Sequence, residues 1–153
     1  MRFNAIKMGL LTLGAFSVGA AAIAASPADT VSARKANFKV MGKSMKAISE
    51  ELKKPAPDVA LIRKGADAIA QASTKVKGAF PKGTGPDSGV RTEALADIWA
   101  KPADFGKAAD RLTGAAQGFQ IAAKSGDLAK IKAAFPGVGG SCKGCHDAFK
   151  GHD

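Results

Sequence analysis

The chain has 153 residues, enough for a single domain, and its 23 Lys and Arg against 13 Asp and Glu give a formal charge of +10. That charge suits an anionic partner, but the N-terminus directs the chain to export, where nucleic acid is seldom met, so a nucleic-acid binder is set aside. The two cysteines stand three residues apart, a spacing typical of redox or cofactor chemistry and not of a structural staple.

Residues 1–24 have a basic start (Arg2, Lys7), an uncharged apolar run from Met8 to Ala22 and a small-x-small end at Ala22-Ile23-Ala24. This is the pattern of a secretory signal peptide, cut after Ala24 or one residue later. The apolar run is short of the ~20 residues that span a bilayer, so no membrane anchor is expected after cleavage. The mature domain is then 25–153, and losing Arg2 and Lys7 takes its charge to +8.

Four segments follow, each with one apolar seam. The first, about Pro27 to Lys54, places Val31, Arg34, Phe38, Met41, Met45, Ile48 and Leu52 at alternating spacings of 3 and 4, and ends at the Pro-rich stretch 55–57. The second, Asp58 to Phe80, repeats the alternation through Ile62, Ala66, Ile69 and Val76. After a Pro- and Gly-rich loop at 81–89, the third, about Pro102 to Lys124, sets Phe105, Leu112 and Phe119 seven apart. The fourth begins at Asp127 and runs through Leu128, Ile131, Phe135, Val138, Cys142, Cys145 and Phe149. Alternating 3 and 4 keeps a narrow stripe facing a neighbour, so the sequence predicts an all-α, antiparallel four-helix bundle with no sheet. Pro136, with the glycines after it, predicts a kink or a split in the last helix.

The last segment carries Cys142, Cys145 and His146 in the order Cys-x-x-Cys-His, the attachment pattern of a c-type haem. Both cysteines occupy seam positions, and His146, four residues after Cys142, shares their face. A zinc site needs four ligands, usually in two separated pairs, whereas Cys142, Cys145, His146 and His152 crowd one helical end. A thioredoxin-like motif should open a helix after a strand, and no strand is expected. One covalently attached haem c is the reading that remains.

The stretches "ARKANFKVMGKSMKAI", "EALADIW" and "GGSCKGCHDAFK" resemble the cytochrome c′ family, the class II c-type cytochromes, over essentially the whole mature chain. The resemblance implies a periplasmic protein, a homodimer through the first two helices, and electron transfer or binding of nitric oxide and carbon monoxide, without enzymatic activity. It names no redox partner. It also implies a five-coordinate, high-spin iron with His146 as its one axial ligand. Low-spin relatives place a methionine four residues after an arginine resembling Arg34; here that position is Phe38, whose ring would cover the distal face. Met41 and Met45 lie in the same seam, and methionine ligation is the competing reading. Arg34 is the charged member of an apolar stripe; it either snorkels to water or, as the resemblance implies, holds a haem propionate. Lys35, Thr92 and Glu93 are expected along the same haem edge, and Lys150 flanks the proximal face. Trp99, Phe80 and Phe119 are expected either to line the pocket or to serve as core.

Overall fold

The structure is a computed structural model and describes residues 25–151; the expected leader, 1–24, and His152 lie outside the described residues. Five helices follow in order: α1 (Pro27–Glu51), α2 (Val59–Ser73), the short α3 (Asp97–Ala100), α4 (Pro102–Ser125) and α5 (Leu128–Phe149). The four long ones form the expected antiparallel bundle. Among the described residues there is no strand, only one isolated bridge between Ala94 and Lys150. No helix among them is long and apolar enough to cross a membrane.

Three of the four long helices start at a side chain that satisfies orphan amides of the first turn, whereas α4 opens with Pro102 and no side-chain cap. Ser26 accepts from the Asp29 amide with Pro27 at the first helical position, Asp58 accepts from Ala60 and Leu61, and Asp127 accepts from Ala129 and Lys130. Glu51 ties the first connection together. It is buried, accepts the Asp58 amide at 2.7 Å and pairs with Lys54 at 2.6 Å. α4 closes at Gly126, whose φ of 74° is a left-handed value that glycine adopts without strain.

The seams meet as the periodicity requires. Ile48, Ile62, Ile69, Phe119, Ile131 and Val138 are fully buried at the centre. Alanines on α4 let helices come close, and Gly65 lets α2 approach α1, since a Cβ there would lie 2.8 Å from Ile48 Cδ1. The second helix stops at Ser73, so Val76 and Phe80 reach the interior from the turns that follow it. α5 passes through Pro136 as one continuous helix, so the chain is not split there. Burial of Ile131 and Val138 on either side, with Phe135 packed on Phe119 at 5.4 Å, offsets the missing hydrogen bond.

Packing is extensive between α1 and α2, α2 and α4, and α4 and α5. It is not extensive between α1 and α5. Those two helices approach at Met45, whose methyl lies 3.9 Å from where a Gly139 Cβ would sit. The gap beside that approach is the site.

Candidate functional site

A cavity of about 740 Å³ opens in this gap, a size typical of small-molecule and cofactor sites, whose range is about 300–1,000 Å³. From α5, Cys142, Cys145, His146 and Phe149 line it; from α1, Phe38, Met41 and Met45 do so. Phe80, Phe105 and Leu112 form its floor. Phe80 is the hub of the aromatic wall: its ring centroid lies 4.9 Å from Phe105 and 6.3 Å from Phe38, and Phe105 in turn meets Phe149 edge-on at 5.4 Å.

Both cysteines are free and half-buried. Burial raises both thiols above their ordinary value, so they rest protonated; the Cys142 charge adds to the shift at Cys145, and Arg111 opposes it. Burial also lowers His146, with Lys150 acting in the same direction against the weaker pull of Asp147 and Glu93. At neutral pH its ring is therefore neutral, with a lone pair free to bind a metal.

The polar groups gather at one end. Arg34 does not snorkel: it is only 4% exposed. It donates to Thr84 Oγ1 at 3.3 Å, to the Thr84 carbonyl at 3.1 Å and to Thr92 Oγ1 at 2.8 Å, with its guanidinium carbon 4.4 Å from the Phe80 ring centre. Among the described residues no carboxylate pairs with it, and burial pulls its pKa below the ordinary value. Lys35 donates to the Arg91 carbonyl at 2.8 Å, and Lys150 pairs with Glu93 at 2.9 Å. The segment 91–94 thus fastens to α1 on one side and to the end of α5 on the other, where Leu95 N–H donates to Phe149 and Gly151 N–H to Glu93.

This clasp is pH-sensitive. The Lys150 ammonium holds the Glu93 carboxyl below its ordinary value of 4.5. Its contribution is complete above that pH and is lost as pH falls through the lowered value, when the carboxylate takes up a proton. The protection factor of the Gly151 amide, its exchange rate relative to the intrinsic rate at each pH, should therefore fall on acidification from pH 6 to 3. In Glu93→Gln protection should be low already at pH 6 and change little; identical protection profiles would rule the pair out as the cause.

Of the three aromatics that the sequence left between pocket wall and core, two lie away from the cavity. Trp99 donates its indole N–H to the Phe80 and Pro81 carbonyls, both at 3.1 Å, and faces a separate cavity of about 260 Å³ beside Lys77 and Lys82. Phe119 is fully buried against Phe135, on the far side of the core. Phe80 does line the site. Thr84 was missed as the main partner of Arg34: it sits fifty residues away in an irregular loop, where no periodicity marks it. Phe105 and Leu112 were legible as seam residues but not as pocket wall.

A family profile described as Cytochrome C′ matches residues 29–150. The cytochrome c′ of Pararhodospirillum photometricum is 39% identical over 127 residues, spanning 82% of this chain and 99% of that one. Among solved structures, a ferrous variant of the Alcaligenes xylosoxidans protein with bound nitric oxide superposes with a TM-score of 0.75 at 32% identity, covering 84% of this chain and 98% of that one. A carbon monoxide-bound variant of the same protein gives 0.74 at 31%, with the same coverage. A cytochrome c′ described as having an unusual ligand-controlled dimer dissociation gives 0.79 at 26%, covering 85% and 100%.

Members of this family carry one covalently bound haem c. The residues present fit such a group: two free thiols one turn apart, a neutral imidazole beside them, an apolar cavity, and a buried guanidinium with no carboxylate of its own at the polar end. By sequence match over nearly all of its described length, and by the fold that creates this cavity, the chain belongs to the cytochrome c′ family.

Proposed function

We propose that the chain is exported to the periplasm, loses residues 1–24 or 1–25, and acts there as a haem protein that binds nitric oxide or carbon monoxide and carries electrons. The observation that carries this reading is that Cys142, Cys145 and His146 line the same apolar cavity as Phe38 and Met41, from opposite helices. When bound, haem c supplies an iron that accepts or gives one electron and takes a small neutral ligand. Cys142 and Cys145 would hold it as thioethers, and His146 would supply a nitrogen ligand to the iron. Phe38 cannot ligate; its ring, on the α1 side of the cavity, would exclude water from an iron held by His146, as a five-coordinate, high-spin centre requires.

At the polar end, Arg34 and Lys35 supply positive charge for the propionates. Thr92 accepts from Arg34 and keeps its hydroxyl hydrogen free to donate to a propionate, whereas Glu93 pairs with Lys150 and so positions that cation. An enzyme working on peroxide needs an acid or base beside the iron. The α1 side offers Phe38, Met41 and Met45 instead, which favours a carrier and gas binder. Exposed Val40 on α1 and Leu61 on α2 suit a homodimer through those helices.

One specific observation favours a second reading: Met41 lines the cavity and is buried. A thioether bound from there would make a low-spin carrier that excludes gases. Resonance Raman and EPR of ferric and ferrous protein, purified from a host that attaches haem c, separate the two. High-spin, five-coordinate spectra support the first reading and low-spin spectra the second. A colourless product with two titratable thiols would sink both.

A further inference from the structure

We propose that the α1 edge of the cavity mouth is a docking surface for an acidic electron-transfer protein. This rests on the haem reading above.

Lys35, Lys39 and Lys43 recur every four residues and form one exposed row along α1. Asn37, which donates to the Ala72 carbonyl at 2.9 Å, turns toward α2 on the opposite side of the helix from Lys39. The row therefore runs beside the open gap to α5, and Lys35 and nearby Arg91 both line the cavity. Several other helical lysines have an acid one turn away, as in Lys46–Glu50, Lys101–Asp97 and Lys143–Asp147, and Lys64 and Lys132, unpaired among the described residues, stand singly and not in a row. Among the described residues, Lys35, Lys39, Lys43 and Arg91 form no ion pair. Like charges one turn apart repel, so the bundle gains nothing from this arrangement.

Within the row sits Gly42, which is exposed and lines the cavity. Nothing lies within 4 Å of where its Cβ would be, so packing does not require glycine, and a helix is better served by alanine. The cavity wall is bare beside a basic row that forms no close ion pair, Glu93 at its Lys35 end being held by Lys150. An acidic protein steered there by the field presents its own one-electron cofactor to the thinnest part of the wall. One electron leaves its reduced cofactor and is taken up by the ferric iron of this chain, with no bond or proton exchanged.

The test uses the haem-loaded protein and a reduced acidic flavodoxin as the probe. The second-order rate of haem reduction should fall steeply with salt in the wild type. Lys39→Glu/Lys43→Glu should slow it at least ten-fold, whereas Lys64→Glu/Lys75→Glu, an equal charge change on the α2 side, should stay within about two- to three-fold. Carbodiimide cross-linking should join the flavodoxin to Lys39 or Lys43. Equal slowing by both pairs, or cross-links spread over all surface lysines, would show that only net charge matters. Binding of the row to phosphatidylserine vesicles with none to the flavodoxin would replace the proposed partner with a membrane surface. The visible band is recorded before mixing, so a lost haem is not mistaken for lost docking. A variant that cross-links normally but transfers no electron faults the electron-transfer reading and leaves the surface standing.

Discussion

Changing both thiols, Cys142→Ser/Cys145→Ser, is expected to abolish covalent haem: the denatured variant should lose its haem stain on a gel while the wild type keeps it. Serine is nearly isosteric, so the cavity keeps its shape and loses only the sulfurs that can form thioethers. Each single variant should retain a stain through the remaining sulfur, with a shifted visible band. The stability loss should also be large. α1 and α5 lack extensive packing against one another, so an unfilled gap leaves the apolar faces of Phe38, Phe80, Phe105 and Leu112 to be wetted or to collapse. That costs at least as much as truncating one large core side chain, about 3–5 kcal/mol, and for a domain of this size the melting temperature should drop by roughly 10 °C or more. A double variant that keeps its stain after denaturation would disprove the assignment of the thiols.

Much of this architecture was legible because each long helix repeats the 3–4 alternation, and the members of that alternation are the buried residues. Ile48, Ile62, Ile69, Ile131 and Val138 all fell on predicted seams. Local rules failed where tertiary packing outweighed them. Pro136 weakens its helix, yet the side chains around it are locked into the core. The second seam continued to Phe80 in the sequence although the helix ends at Ser73, because turns can keep delivering apolar residues to one place. The motif Cys142, Cys145, His146 was visible since its chemistry is local. The polar end was not. The grip of Arg34 on Thr84 and Thr92, and of Lys150 on Glu93, joins segments some fifty residues apart through an irregular loop. Nor does residue type separate Phe80 in the pocket wall from Trp99 and Phe119 outside it: Phe80 and Phe119 are both seam aromatics, and Trp99 falls outside every seam.

Replacing Phe38 by Ala should let carbon monoxide bind the ferrous protein faster and at least ten-fold more tightly, because the ring lines the α1 side of the cavity opposite the motif. Removing it frees space of the size that a diatomic ligand needs, and the neighbouring Phe80 ring is kept from swinging in by its contacts with Phe105 and Trp99. Phe38 is only partly buried, so the stability cost should fall below the 3–5 kcal/mol of a fully buried phenylalanine, at roughly 1–3 kcal/mol. The absorption band that reports His146 ligation should not move, since the substitution lies on the other helix. Stopped-flow mixing with carbon monoxide gives the rate, and titration gives the affinity. Met41→Ala provides the counter-case. Met41 is 4% exposed and lines the same cavity one turn along α1, so its loss should destabilise by about 2–5 kcal/mol while leaving the iron high-spin. If instead Met41→Ala converts a low-spin iron to high spin, and Phe38→Ala leaves carbon monoxide affinity unchanged, the barrier on that face is a bound thioether. The five-coordinate reading then falls.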